Sequence, residues 1–111
     1  MYAIARAAFD KKAKGIVILD MKRPLQICDY FIIASGNSTR QVKAISDNIE
    51  EKTRQKGITP LHIEGYSEGT WVLLDYYDIV AHIFIQDTRD FYNLERLWAD
   101  APKIDFNEGE G

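Results

Sequence analysis

Two histidines, one cysteine and a glycine-containing turn are the parts of this 111-residue chain best suited to chemistry. His62 and His82 are separated by a loop, and a single histidine on a strand is more often structural than a metal ligand. Cys28 has no neighbouring histidine that could activate its thiol, so a small buried side chain is the favoured interpretation. These residues therefore predict neither a metal site nor a nucleophile.

The turn Ser35–Ser38, of sequence Ser-Gly-Asn-Ser, stands between a predicted strand and a predicted helix. The free N–H groups at the start of a helix can hold a phosphate, and the turn resembles the Gly-Ser turn of nucleotidyltransferases. That chemistry needs two carboxylates at positions i and i+2 of one strand to hold magnesium. The next strand, residues 60–64, offers a single acid, while Asp75 and Asp78 are three residues apart. A helix-capping turn is therefore favoured, and a small nucleotidyltransferase stays as an alternative.

Charge is divided unevenly along the chain. Residues 1–56 hold 11 Lys and Arg against 6 Asp and Glu, whereas residues 57–111 hold 3 against 11, which leaves a net charge of −3. Nucleic-acid-binding proteins usually combine aromatic side chains with a basic surface, but here the aromatic side chains accompany the acidic ones. Such a surface repels phosphates and attracts a basic protein. An RNA-binding module that uses the basic residues at 52–56 is the second alternative.

Length and composition bound the organisation of the chain. We expect residues 1–100 to form a single domain, followed by a flexible acidic tail over residues 101–111. No apolar run approaches the roughly 18 residues that cross a bilayer, and the N-terminus resembles neither a signal peptide nor a transit peptide. A single cysteine is typical of a reducing compartment. The cytoplasm is therefore the expected location.

The periodicity of the apolar residues predicts the element order α-β-β-α-β-β-β-α. This order implies an α/β fold, with a mixed five-stranded sheet and helices packed mainly on one face. We expect the first helix to end near Gly15, and Ser38 with Gln41 to form a capping box that begins the second helix. The five strands are expected near residues 16–19, 30–34, 61–63, 71–75 and 79–85.

A last helix is predicted directly after the fifth strand. Asp87 or Thr88 can cap its first turn. Its inward stripe is expected to consist of four apolar side chains, Phe91, Leu94, Leu97 and Trp98. Tyr92 and Glu95 are three residues apart and therefore share a different face of this helix.

The hairpin of the fourth and fifth strands has two different faces. A two-residue turn at Tyr76 and Tyr77 is expected to pair Asp75 with Asp78, and this register sorts the side chains. The first face is uniformly apolar and holds Val72, Leu74, Ile79, Ala81, Ile83 and Ile85. The second face holds Trp71, Leu73, Asp75, Asp78, Val80, His82 and Phe84. It is too apolar to face only water and too polar for a dry core, which indicates a contact surface.

Trp71 is the strongest single candidate on that surface. A half-buried sheet residue under a loop is the structural interpretation, and an interface anchor is the functional one, because Trp and Tyr dominate binding hot spots. The surroundings of Trp71 favour the anchor, since they make one contiguous patch with an acidic rim. That patch is expected to comprise Leu73, Val80 and His82, the helix residues Tyr92 and Glu95, and the rim residues Asp75 and Asp78.

Together these residues resemble the ribosomal silencing factors, also called the iojap-like family. The matching stretches are residues 28–33 (Cys-Asp-Tyr-Phe-Ile-Ile), 35–42 (Ser-Gly-Asn-Ser-Thr-Arg-Gln-Val), 64–65 (Glu-Gly), 71–76 (Trp-Val-Leu-Leu-Asp-Tyr), 82–84 (His-Ile-Phe) and 89–98 (Arg-Asp-Phe-Tyr-Asn-Leu-Glu-Arg-Leu-Trp). Each piece alone is weak, but their order and spacing match from Ala3 to Asp100.

The resemblance implies a nucleotidyltransferase-like fold that lacks the catalytic carboxylates, and hence a protein that is not an enzyme and needs no cofactor. Members of the family bind protein fourteen of the large ribosomal subunit, at the face that meets the small subunit. They thereby block subunit joining and slow translation when nutrients are short. Organellar relatives act in ribosome assembly. Several members of the family form homodimers in isolation. The resemblance implies no direct nucleic-acid readout and no membrane contact.

The family's polar and aromatic positions are matched here by Trp71, Asp75, Tyr76, His82, Arg89, Tyr92 and Glu95. One position departs from the family, which usually has Gly where this chain has Tyr77. A hairpin turn of the common primed type needs a positive φ there, which costs a tyrosine roughly 1–2 kcal/mol. Either the turn is of another type or Tyr77 adds a contact.

Overall fold

The computed structural model describes residues 1–23 and 28–106. Within these residues the chain forms four helices and six strands. The helices are α1 (Tyr2–Asp10), α2 (Thr39–Gln55), α3 (Gln86–Tyr92) and the single turn α4 (Leu94–Leu97). The strands are β1 (Lys14–Asp20), β2 (Tyr30–Gly36), β3 (His62–Glu64), β4 (Trp71–Asp75), β5 (Ile79–Ile85) and β6 (Lys103–Ile104). The mixed α/β class predicted from the sequence is confirmed.

One sheet joins all six strands in the order β3-β4-β5-β2-β1-β6. The central strands β2 and β5 run parallel, and the other neighbouring pairs are antiparallel. Parallel strands usually need cover on both faces, and nearly every side chain of β2 is buried. The centre of the sheet is therefore packed on both sides, while β3, at one edge, is exposed.

Helices α1 and α2 cover one face of the sheet, where the main core lies. Half of the predicted capping box begins α2: the Ser38 hydroxyl oxygen accepts a hydrogen bond from the Gln41 backbone N–H at 3.1 Å. Gln41 Oε1 accepts from the N–H of Asn37, the residue before the N-cap, in place of that of Ser38. The fully buried side chains of this core include Val42, Ile45, Ile49, Val72, Leu74, Ala81 and Ile83. The apolar face of the hairpin is thus confirmed as core.

The prediction of five strands is wrong, because β6 adds a sixth. Ile104 pairs with Ile18 and Lys103 with Leu19 at the free edge of β1. Ile104 and Phe106 also pack against the main core. This strand lies in the segment that the sequence analysis assigned to a flexible tail, of which residues 107–111 lie outside the described residues. Two residues of strand are too few to produce an alternating pattern, so the sequence carried no signal for it.

Helix α1 ends at Asp10, well before the expected end near Gly15. Lys12 adopts a left-handed φ of 64° and turns the chain into β1. Gly15 lies inside that strand with a φ of 56°, and a Cβ atom there would stand 2.8 Å from Nη1 of Arg89. Glycine at this position therefore makes room for a side chain from α3, and it does not mark a helix end.

The hairpin register differs from the predicted one by two residues. Asp75 pairs with Val80, and the Tyr76 N–H donates to the Ile79 carbonyl at 2.8 Å, which leaves Tyr77 and Asp78 as the turn. Because side chains alternate with period 2, a shift of two residues keeps every side chain on its predicted face. Tyr77 has the positive φ expected for such a turn, 76°.

The last helix is interrupted, so its predicted inward stripe is wrong in part. Asn93 adopts the left-handed conformation, with φ 48° and ψ 58°, and separates α3 from α4. The phase of the helix resets there, which leaves Phe91 80% and Leu97 69% exposed. Leu94 and Trp98 do pack inward, against the second face of the sheet.

The start of α3 also differs from expectation. Its N-cap is Ile85, which makes no side-chain capping bond, so neither Asp87 nor Thr88 is the cap. The helix follows β5 without a loop, because β5 ends at the residue before it. None of the helices in the described residues is long and apolar enough to cross a membrane.

Candidate functional site: an aromatic platform with an acidic rim

The second face of the sheet is only partly covered. Leu94 and Trp98 lie over a small cluster that includes Phe31, Ile33 and Phe84, whereas the part of the face that β4 forms is only half-buried. Apolar side chains of β4 and β5 that point to this side remain half-buried at three positions, Trp71, Leu73 and Val80. We call these three residues, together with Tyr92, the aromatic platform.

Trp71 lies at the centre of a group of rings. Its ring centroid is 4.9 Å from that of Phe84 on β5 and 4.9 Å from that of Tyr92 on α3. Such tilted aromatic pairs contribute about 0.5–1.5 kcal/mol beyond their buried area. Trp71 is half-buried and Tyr92 is 53% exposed, so both rings are held in place while keeping a face toward solvent.

His82 is 4% exposed, and its ring packs against that of Trp71. The indole Nε1–H of Trp71 donates to Nδ1 of His82 at 3.1 Å, which requires Nδ1 to be unprotonated and places the ring proton on Nε2. Burial lowers the pKa of His82 from 6.5 to about 4. The imidazole is therefore neutral at physiological pH and fixes the orientation of the indole.

Gly65 fixes the backbone at the start of β4. It has a φ of 79°, and a Cβ atom there would collide with the carbonyl oxygen of Trp71. Only glycine permits this close approach. Gly65 belongs to one of the stretches that resemble the family, but the sequence alone indicates no role for it. Its left-handed φ and the backbone it touches, which define that role, are visible only in three dimensions.

Arg89 and Glu95, both expected at the surface patch, lie mainly inside the protein. Arg89 is 8% exposed, and its Nε donates to Glu95 Oε1 at 2.8 Å. Its Nη1 donates to the Ser35 hydroxyl oxygen at 2.8 Å. This pair ties α3 and α4 to the end of β2 and so positions Tyr92 beside Trp71. We therefore assign Arg89 and Glu95 a positioning role.

Tyr76 lies on the opposite side of the sheet from the platform. Its ring packs against the main core, and its hydroxyl is 2.9 Å from the Thr53 hydroxyl of α2. Burial raises the pKa of Tyr76. Neighbouring strand positions point to opposite faces, so Tyr76 could not join Asp75 on the patch.

Acidic side chains border the platform at the hairpin end. Asp75 is half-buried on the platform side, and its Oδ1 accepts a hydrogen bond from the Tyr77 N–H at 2.8 Å. Asp78 is exposed in the turn. Glu64 of β3 pairs with Leu73 and therefore shares its face. Of the residues predicted for the patch, the structure thus places Trp71, Leu73, Val80, Asp75 and Tyr92 on this face, with Asp78 exposed in the turn and His82 buried.

The turn Ser35–Ser38 is occupied by contacts within the chain. The Ser35 hydroxyl oxygen accepts from Arg89, the Asn37 N–H donates to Gln41, and the Ser38 hydroxyl oxygen accepts from the Gln41 N–H. The turn is thus the predicted helix cap. In residues 1–23 and 28–106, no three His, Cys, Asp or Glu side chains cluster in a way that could hold a metal ion.

Comparison with known proteins gives one consistent family. The family model described as "Ribosomal silencing factor during starvation" matches residues 1–110. The chain is 45% identical over 105 residues to the ribosomal silencing factor RsfS of Bacillus subtilis, covering 95% of this chain and 89% of that protein.

Two solved structures have the same fold. A crystal structure of a Bacillus halodurans protein matches with a TM-score of 0.82 and 40% identity, covering 93% of each chain. An X-ray structure of a Chromobacterium violaceum protein matches with a TM-score of 0.85 and 33% identity, covering 96% of this chain and 90% of that one. Each likeness covers more than nine-tenths of this chain.

Proposed function

The chain belongs to the ribosomal silencing factor family, and from this premise we propose that it represses translation by binding the large ribosomal subunit. In this proposal its partner is protein fourteen of that subunit, at the face that meets the small subunit. The bound protein fills space that the small subunit needs, so subunit joining is blocked. The repression acts in the cytoplasm, when nutrients are limiting.

The aromatic platform is the observation that carries this proposal. It combines half-exposed rings, which are the usual anchors of protein interfaces, with acidic side chains at its edge. Ribosomal proteins that contact RNA are basic, and an acidic rim attracts and orients a basic partner. A catalytic site would instead need convergent titratable groups, but His82 is buried and fixed by Trp71.

The proposed mechanism is steric and involves no turnover. A nucleotidyltransferase would use the turn Ser35–Ser38, where the Ser35 and Ser38 hydroxyl oxygens and the Asn37 N–H make hydrogen bonds within the chain. An RNA-binding module would use the basic residues of α2, which lie on the side of the sheet away from the platform. The docking function is favoured because it uses the surface where aromatic and acidic residues meet.

Sedimentation of ribosomes through a sucrose gradient tests the proposal. Adding the protein to separated subunits is expected to lower the joined-ribosome peak and to place the protein with the large subunit. The Trp71→Ala variant is expected to lose about 2 kcal/mol of binding free energy, or about 30-fold in affinity. The control Tyr2→Ala, which alters an exposed ring on α1, should act like wild type. An unchanged peak with wild-type protein would contradict the proposal.

A further inference from the structure

A cavity of about 350 Å³ opens at the turn end of the hairpin, where Leu73 and Val80 of the aromatic platform form part of its lining. Its apolar floor is formed by Phe31, Leu73 and Val80. Two carboxylates, Glu64 and Asp75, contribute to its lining from β3 and β4. An apolar floor combined with acids fits a long side chain that carries positive charge at its end.

The two charged side chains that line this cavity, Glu64 and Asp75, are both acidic. None of the eight residues that line it is Lys or Arg. Cys28 forms part of the wall, and burial, followed by the charges of Asp29 and Asp75, raises the pKa of its thiol. His82 also lines the cavity, and its buried, neutral ring adds no positive charge. A cation entering the cavity would therefore meet attraction without opposing charge.

We propose that this cavity receives one lysine or arginine side chain of the ribosomal partner, with its methylene groups on Leu73 and Val80 and its charged end at Glu64 and Asp75. This inference rests on the proposed function and adds to it the chemical identity of an anchor. The platform rings provide the apolar part of the interface, and the cavity fixes its register. A cation paired with two carboxylates gives specificity as well as attraction, because a neutral or acidic side chain in the cavity would gain no charge pairing with them.

Neutralising the two carboxylates without changing their size is the first test. The double variant Glu64→Gln, Asp75→Asn keeps an oxygen at Asp75 to accept the Tyr77 N–H. Binding to purified large subunits, measured at low and at physiological salt, is expected to weaken about 10-fold at low salt and to become less salt-dependent. The matched control is Glu68→Gln, an exposed acid of the neighbouring loop that does not line the cavity. It should change affinity less than twofold.

Cys28 provides a second, independent readout, because it is the one cysteine of the sequence and lies in the cavity wall. Its alkylation by iodoacetamide, followed by mass spectrometry of its peptide, is expected to slow at least 10-fold when the protein is bound to large subunits. The Trp71→Ala variant, which binds weakly, should lose this protection at the same protein concentration.

The outcomes separate the inference from the function on which it rests. Wild-type binding with an unaffected double variant and unprotected Cys28 would overturn the cavity proposal and leave platform docking in place. Failure of the wild-type protein to bind large subunits would overturn both. Equal weakening by Glu68→Gln and by the double variant would show general charge attraction only, and would also overturn the cavity proposal.

Discussion

The two faces of the sheet differ in the way they are completed. On one side, α1 and α2 lie over a core in which Val72, Leu74, Ala81 and Ile83 have no exposed surface. On the other side, Leu94 and Trp98 cover part of the face, and half-buried rings, acids and a cavity occupy the remainder. The first face is completed by the chain itself. The second has the composition of a surface that a partner completes.

Strand β4 shows this difference within five residues. Its burial alternates strictly, with Val72 and Leu74 buried and Trp71, Leu73 and Asp75 half-buried. All five residues belong to one strand, so the direction of the side chain separates a stabilising role from the proposed binding role. Variants of neighbouring residues on β4 therefore test whether the two faces of the sheet have different roles.

The largest expected effect separates Leu74 from Leu73. Leu74→Ala removes a fully buried side chain and should lower the free energy of unfolding by about 3–4 kcal/mol. Leu73→Ala should lower it by about 1 kcal/mol or less, because that side chain is half-exposed, but should weaken binding to large subunits. Urea denaturation and a binding assay measure the two quantities. Equal losses of stability would show that both faces are core.

A second large effect is expected at the Arg89–Glu95 pair. Glu95→Gln leaves the Arg89 guanidinium buried without its counter-charge and should lower the free energy of unfolding by about 3 kcal/mol. The matched control is Glu51→Gln, which removes the exposed Arg54–Glu51 pair of α2, a 3.0 Å contact, and should cost at most about 0.5 kcal/mol. Thermal unfolding of both variants checks the difference. Similar values would remove the positioning role from Arg89 and Glu95.

The buried histidine predicts a pH dependence of stability. Because burial lowers the pKa of His82 from 6.5 to about 4, the unfolded chain takes up a proton in that interval that the folded chain does not. The free energy of unfolding is therefore highest above pH 6.5 and falls by up to about 3 kcal/mol as the pH is lowered to 4.

Two matched histidine variants test whether His82 causes the slope of the free energy of unfolding against pH. His82→Gln still offers Trp71 an acceptor but cannot titrate, so the slope between pH 6.5 and 4 should flatten. His62→Gln changes an exposed histidine of β3, and the slope should persist. Denaturant titrations at several pH values measure it. A slope that survives His82→Gln would place its origin elsewhere.

A smaller effect on binding is expected at Tyr92. Its ring lies 4.9 Å from Trp71 and is 53% exposed, so Tyr92→Ala should weaken binding to large subunits by about 1–1.5 kcal/mol with little change in stability. Tyr2→Ala, at a ring of similar exposure on α1, is the control. Unchanged affinity for Tyr92→Ala would confine the platform to the hairpin.

The smallest effect is expected at the hairpin turn. Tyr77 has a φ of 76° and is 70% exposed, so Tyr77→Gly should relieve backbone strain and raise the free energy of unfolding by about 0.5–1 kcal/mol. The same variant tests whether the ring contributes to docking, since Tyr77 borders the cavity. A loss of stability would indicate that the ring makes a contact worth more than the strain.

The sequence predicted the elements that have strong periodicity. The Ser38 cap of α2 and the two faces of the hairpin follow from local patterns, and the structure confirms both. The assignment of faces was correct even though the register was displaced, because a two-residue shift preserves alternation.

The errors share a physical origin in conformations and contacts that local patterns do not encode. The left-handed Asn93 ends α3 within an apolar stripe that looked continuous. Glycine is required at position 15 because the side chain of Arg89, which is distant in the sequence, packs against it. The resemblance to the family does not distinguish exposed residues from buried ones. Tyr76 was therefore expected at the binding surface, although its ring packs against the main core. The hydrogen bond between Arg89 and Ser35, which are 54 residues apart in the sequence, was not predicted.

Hydrogen–deuterium exchange of the protein, free and bound to large ribosomal subunits, tests the difference between the two faces most directly. The account predicts new protection on binding in β4, in the hairpin turn and in α3, and unchanged exchange along α1 and α2. Protection confined to α2, with the hairpin and α3 unaffected, would contradict it.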